Sequence, residues 1–356
     1  MTKVTDSQQK SLRPGSICLI RLSAIGDCCH ALPIVRTIQS AWPDTTITWI
    51  IGKTEFALME GIEGVEFITF DKSAGWSEIL RLRRQLAERS FPILLNMHAS
   101  MRANLVSLCV KAQRRVGFDH DRARDYQWLF SNEKIDAKPQ QHVMDGFFGF
   151  LEHIGIAKRI MRWEIPVAAQ DEAFASNICG GVEPVVIISP CSSQRSRNYR
   201  NWPVEHYAKL IDHLHNKYRA NIILTGGPTE LERLYGSALQ SAANSPTQNL
   251  IGTTTLKQLL AVIEQADLLI CPDSGPAHMA TAVGTPVVGL YATSNRHRTG
   301  PYLSQELTVD KYPVAVEREF GKPVNSLRWG ERVRNPDAMS LITLNDVTQK
   351  VALVLN

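Results

Sequence analysis

The sequence predicts an α/β protein of two halves, each built on its own parallel sheet. Three observations predict it. Short apolar runs alternate with small-residue turns and amphipathic stretches, as in sheets covered on both faces by crossover helices. The alternation lapses over 162–181, where small and polar residues dominate, and restarts at Val185. Finally, 356 residues are long for one compact core and comfortable for two.

In the first half, 16–22 (SICLIRL) reads as a buried opening strand, 23–27 (SAIGD) as a tight turn, and 28–41 as a helix stopped by Trp42-Pro43. Strands follow at 46–51 (TITWII), 65–70 and 92–97 (PILLNM), with a basic amphipathic helix at 76–89. From His98 to about Gln141 strand character is weak, and Arg102, Lys111, Arg114, Arg115, Arg122 and Arg124 crowd together. A solvated basic face and an anion-binding surface both fit that stretch. A helix is expected at 142–154 and a crossover linker at 162–181.

The second half repeats the theme. Strands are expected at 185–189 (VVIIS), 220–225 (ANIILT), 266–271 (ADLLIC) and 286–291 (PVVGLY). Between them, 202–218 reads as a helix with Pro203 in its first turn. Another starts at Thr229, and a third, capped by Thr253 or Thr254, runs to Gln265. A short helix over 276–283 is closed by Gly284, and 343–355 has the spacing of a terminal helix. Two such halves imply a cleft in which ligands bind.

Composition narrows the function. A net charge of +4 is too mild for a general nucleic-acid binder, and suits anionic small molecules or brief contact with an anionic membrane. The seven cysteines are scattered without CxxC spacing, so free buried thiols in a reducing compartment are expected rather than disulfides or zinc. The first fifteen residues are polar, with no apolar signal core, and read as a flexible tail. No apolar run approaches the roughly 20 residues of a membrane span.

Four segments carry candidate chemistry. In Asp273-Ser274-Gly275-Pro276-Ala277-His278 a buried strand runs into a helix start. Gly275 lets backbone approach a ligand, Pro276 suits the first helical position, and Ser274 and His278 can meet an anion at the positive end of the helix dipole. The bland alternative is a well-capped helix. The turn Ser23-Ala24-Ile25-Gly26-Asp27 is not GxGxxG, so a dinucleotide site is weakly supported there. Asp27 fits an N-terminal capping carboxylate or a general base equally well. His30, three residues on, can assist or pack. The polar loop 189–202 holds Ser192, Ser193, Arg195, Arg197 and Arg200, suited to a diphosphate or merely to solvent. Glu230, after Gly226-Gly227-Pro228, can take ribose hydroxyls or simply favour the helix dipole. Asp119-His120-Asp121 matches D-x-D but lies away from a strand end, which argues against a metal site.

With these residues in hand, the chain resembles the ADP-heptose:lipopolysaccharide heptosyltransferases of glycosyltransferase family 9, from the first strand to about Tyr302. The family's S-x-x-G-D-x-x-H loop is matched by Ser23, Gly26, Asp27 and His30. Its basic W-P-x-E-H-(W/Y) helix start is matched by Arg200, Trp202, Pro203, Glu205, His206 and Tyr207. The turn G-x-P-x-E is matched by Gly226 or Gly227 with Pro228 and Glu230. The donor loop is matched by Asp273, Ser274, Gly275, His278, Ala282 and Pro286. Departures are a longer, Ser/Arg-rich loop before Arg200, Arg200 where the family has Lys, Ser274 where Thr is frequent, and Thr281 in place of the first Ala of a pair.

The resemblance implies a GT-B fold, two Rossmann-like domains with parallel sheets facing across a cleft. Residues 1–168 would be the acceptor domain and 169–340 the donor domain, with 341–356 a helix packing back on the first. It implies inverting transfer of heptose from ADP-heptose to the lipopolysaccharide inner core (Kdo-lipid A or heptosylated core). Asp27 would be the base. Ser192, Ser193, Arg200, Glu230, Asp273, Ser274, Gly275 and His278 would hold the donor, and Gly26, His30, Arg102, Arg122 and Arg124 the acceptor. No metal or cofactor beyond the ADP-sugar is implied. The implied partners are a nucleotide sugar and a lipid-linked saccharide, not nucleic acid. The implied location is cytoplasmic, peripheral at the inner face of the inner membrane. Alternatives are a same-family transferase using another nucleotide sugar for surface polysaccharide, a GT-B-like nucleotide-sugar epimerase, and a binding module with a spent site, against which the retained Asp27 argues.

Overall fold

The computed structural model describes residues 13–192 and 198–356. The chain divides into two compact units. One comprises Met1–Lys138 with Val143–Pro166, the other Pro139–His142 with Val167–Asn356.

The first unit carries β1 (Ser16–Arg21), β2 (Thr46–Gly52), β3 (Val65–Phe70), β4 (Ser90–Asn96), β5 (Lys111–Gly117) and β6 (Glu133–Lys134). They form one sheet in the order β3-β2-β1-β4-β5-β6, parallel throughout. The second unit carries β7 (Val185–Ile188), β8 (Asn221–Leu224), β9 (Gln248–Asn249), β10 (Leu268–Pro272), β11 (Val287–Tyr291) and β12 (Val309–Asp310). Their order is β12-β11-β10-β7-β8-β9, again parallel. Each sheet therefore reverses its winding once, between β1 and β4 and between β7 and β10. Such a switch point opens a crevice at the carboxyl ends of the two strands.

The central strands are apolar because both faces are covered: every residue from Ile17 to Ile20, and all of β7, is buried. β1, β2 and β4 pack with Leu82 of the helix Trp76–Gln85, Leu86 that caps its end, and Ala103 and Val106 of the helix Met101–Ser107. In the second unit the helix Val204–Tyr218 places Tyr207, Leu210, Ile211 and Leu214 in the core.

The structure corrects several expectations. β5 lies inside the basic stretch that showed weak strand character. Its sequence, KAQRRVG, is polar, but Arg114 reaches the Glu133 carboxylate of β6 at 2.8 Å, and Arg115 donates to the carbonyls of Ser107, Val110 and Phe130. These two arginines therefore serve the fold. The supposed linker contains a helix, Ala169–Cys179, whose buried residues are Asp171, Ala175 and Cys179, with no large apolar side chain among them. The helix Leu256–Glu264 is capped by Thr255, with Gln258 closing a capping box, rather than by Thr253 or Thr254. The terminal helix Leu344–Leu355 buries Val347 and Val351 in the second unit's core, against Val204–Tyr218 and β11. It belongs to the second unit, because its apolar stripe completes the β10–β12 side of that core.

All seven cysteines are free and buried. Burial pushes the thiols of Cys29, Cys191 and Cys271 up to about 12, away from thiolate chemistry.

Candidate active site

In the first unit the switch point is flanked by the turn after β1 and the segment after β4. The helix after β1 begins earlier than expected, at Ile25, so Asp27 is its third residue rather than its cap. The turn carries a cis peptide at Ser23-Ala24. The carboxylate reaches back to accept the Ala24 N–H at 3.2 Å and forms an ion pair with Arg21. It remains 30% exposed, within reach of a ligand. Arg21 ends β1, and its own guanidinium is fixed. It donates to the Met97 carbonyl at 2.6 Å and lies over the Phe147 ring at 5.1 Å. The turn is braced from behind, where Lys72 donates to the Leu22 carbonyl at 3.3 Å while paired with Glu55. Gly52 lets β2 approach so closely that a Cβ there would overlap the Leu22 carbonyl.

His98, not singled out in the sequence, completes this crevice. Its Nδ1 accepts the Leu22 N–H at 3.2 Å, which fixes the neutral tautomer with the proton on Nε2. Burial, reinforced by the Arg21 charge, pushes the imidazole down to about 3. Only its place after a predicted strand signalled it.

The other expected acceptor residues divide. Gly26 is buried in the first helical turn, and His30 is 2% exposed. Of the two earlier readings of His30, burial favours packing. Arg122 pairs with Asp119 and donates to the Asp136 carbonyl at 2.9 Å, so much of its fork serves the loop. Asp119 also accepts from the Asp121 N–H, which gives the D-x-D match a turn-forming role. Arg102 and Arg124 are exposed.

In the second unit, the switch point between β7 and β10 brings Arg200 onto Asp273. Nη1 of Arg200 donates to the Asp273 carbonyl at 2.8 Å and to its carboxylate at 3.2 Å, with both side chains about nine-tenths buried. Asn198 orients Nε of the same guanidinium at 2.8 Å. The helix Gly275–Val283 starts here with Ser274 as its N-cap, yet no side chain caps it: the Ser274 hydroxyl turns to the Pro272 carbonyl at 3.1 Å instead. Its first-turn N–H groups thus stay available to an anion. His278 is buried in that first turn.

Ser192 is buried and tied to Asn198 and Asn201, which shapes the loop entering Arg200. Ser193, Arg195 and Arg197 lie outside the described residues. Glu230 is exposed at the start of the helix Glu230–Ala242. The capping is done by Thr229 with Glu232, at 2.8 Å, and no hydrogen bond or ion pair engages Glu230 among the described residues. Glu230 and Glu232 both stand in the first turn, so the helix-dipole and ribose readings of Glu230 stay open.

The glycosyltransferase family 9 (heptosyltransferase) model matches residues 79–323. A lipopolysaccharide core heptosyltransferase, OpsX, from Haemophilus influenzae is 40% identical over 336 residues, 94% of this chain and 95% of its own. The chain belongs to glycosyltransferase family 9. Solved structures agree in fold. A family 9 glycosyltransferase from Veillonella parvula aligns with a TM-score of 0.77 at 20% identity, covering 97% of this chain and 98% of its own. The ADP-heptose lipopolysaccharide heptosyltransferase II of Escherichia coli aligns at 0.71 and 19%, covering 96% and 98%. The two six-stranded units are therefore those of a GT-B fold, and this family 9 chain is a glycosyltransferase.

Proposed function

We propose that this glycosyltransferase moves heptose from ADP-heptose to the inner core of lipopolysaccharide, with inversion. The observation that carries the reading is the meeting of Arg200 with an uncapped helix N-terminus at the second unit's switch point. As the C1–O bond breaks, negative charge grows on the departing diphosphate, and these fixed donors stabilise it. Ser274, Gly275 and His278 contact the diphosphate, and Glu230 takes the ribose hydroxyls. In the first unit Asp27 accepts the proton of the attacking hydroxyl. Arg102 and Arg124 meet the anionic acceptor. This scheme calls on no further cofactor, since the diphosphate's charge is met by protein groups.

Support for the substrates comes from the relatives. OpsX, similar along nearly the whole chain, is a lipopolysaccharide core enzyme. The E. coli enzyme of the same fold uses ADP-heptose. The acceptor is then lipid-linked, which makes the protein a cytoplasmic enzyme working peripherally at the inner membrane. No helix among the described residues is long and apolar enough to cross a membrane.

The test is transfer from a panel of ADP- and UDP-sugars to a purified core acceptor, run beside a donor-only reaction. Acceptor-dependent release of ADP from ADP-heptose is expected. Conversion of the donor without acceptor would point to an epimerase, and preference for another sugar would replace heptose.

A further inference from the structure

Six of the eight large apolar side chains left exposed in the first unit's described residues gather toward one edge of the sheet. They are Trp76, Leu80, Met101, Tyr126, Trp128 and Leu129, with Trp76 71% exposed. Trp76 opens the helix after β3, and Leu80 lies one turn further on the same stripe. Met101 opens the helix after β4, and Tyr126–Leu129 belong to the connection after β5. In a parallel sheet all these connections leave from the carboxyl edge, the edge that also carries Asp27.

Hydrogen bonds fix the pieces to one another. Asp125 accepts the Met101 N–H at 2.8 Å, and Asn104 donates to the Asp125 carbonyl at 2.8 Å. Gln127 is buried and donates to the Asn96 carbonyl at 2.9 Å, so its neighbours Tyr126 and Trp128 are turned outward. The helices Trp76–Gln85 and Met101–Ser107 pack together, with the Cys109 thiol reaching the Ile79 carbonyl at 3.6 Å. This is a held surface with aromatic rings on it.

Cations flank it. Arg102 follows Met101 on the edge itself, and Arg83 and Arg84 are exposed in the last turn of the Trp76–Gln85 helix, about 10–12 Å along it from Trp76. Among the described residues none of the three forms an ion pair. The acid of the first helix, Glu78, is buried and occupied by Arg81 and the Asp71 N–H. A protein interface would use the same tryptophan, tyrosine and arginine. Three arginines without an ion pair beside exposed rings match the headgroup layer of an anionic bilayer, whose phosphates supply the counter-charge.

We propose that this edge of the first unit docks on an anionic lipid surface. Trp76, Trp128 and Leu129 enter at headgroup depth, and Arg83 and Arg84 meet lipid phosphates. Docking brings the edge that bears Asp27 to an acceptor held in the same surface. The proposal rests on the reading that the acceptor is lipid-linked.

The test is co-sedimentation of the full chain with phosphatidylcholine vesicles, with and without phosphatidylglycerol. Binding to the anionic vesicles alone is expected, weakened by salt. Arg83→Glu with Arg84→Glu, and separately Trp76→Ser with Trp128→Ser, should each cut it at least about tenfold. Both variants should keep wild-type transfer to a deacylated, soluble acceptor and lose rate on a vesicle-embedded one. Equal binding to neutral and anionic vesicles, or wild-type binding by both variants, would overturn the proposal. So would a dimer that the arginine reversals dissociate, since the edge would then meet a second copy. Vesicle binding requires no turnover, so intact docking without heptosyl transfer would refute the functional reading and uphold this one.

Discussion

Asp27 serves the helix and the proposed chemistry with one carboxylate. An asparagine can still accept the Ala24 N–H, so Asp27→Asn spares the helix start while it removes the base and the charge that pairs with Arg21. Its kcat should fall by about 10²–10⁴, with ADP affinity unchanged by calorimetry. Arg21 pairs with Asp27 and is held by the Met97 carbonyl, so it is read as a positioning residue. Arg21→Met should lower kcat more than it raises KM and move the acidic limb of the pH–rate profile upward, because a nearby cation favours the carboxylate. Arg21→Lys should restore part of the rate. His98 gives a stability prediction. Its imidazole is held near 3 in the folded protein against 6.5 ordinarily. Between those values the unfolded state binds the extra proton, so stability falls as pH drops through that window. His98→Asn should flatten the fall in melting temperature below about pH 6 relative to wild type.

At the scale of elements, two strand-to-helix turns carry the site, and they differ in how their helix ends are satisfied. The Asp27 helix is closed by its own side chain. The Gly275–Val283 helix is left open, with Arg200 beside it. Arg200→Ala should therefore have two effects. ADP binding should weaken at least about tenfold, the worth of one charge-assisted hydrogen bond. Stability should fall by about 3 kcal/mol, because Asp273 is left as a buried, unpaired charge. Calorimetry and urea denaturation separate the two. Arg200→Lys should recover more stability than affinity, since an ammonium keeps the charge without the planar fork.

On the scale of the molecule, each unit has its own core and its own switch point. ADP alone should therefore protect amides of the second unit, chiefly around 198–204 and 272–280, and leave those around 21–28 unchanged in hydrogen exchange. Protection confined to the first unit would refute the donor site.

The central strands were legible in the sequence because buried parallel strands are continuous apolar runs, and β1, β2, β4, β7, β8, β10 and β11 all obey that rule. β5 was hidden because its arginines are satisfied by Glu133 and by carbonyls distant in sequence. The helix Ala169–Cys179 was hidden because its buried residues, Asp171, Ala175 and Cys179, include no large apolar side chain. Asp27 and the Asp273–His278 turn were legible for a related reason: a helix start after a buried strand is a local pattern. The sequence by itself determined the fold class, the two turns, the order of family motifs and thus the kind of reaction. The Thr229-x-x-Glu232 cap was legible as well, as a local capping signature. Only the tertiary structure decided that Arg200 meets Asp273, that His98 meets the turn before Asp27, and that the terminal helix completes the second unit. Those are pairings across tens of residues, set by strand order and packing, and no local pattern encodes them.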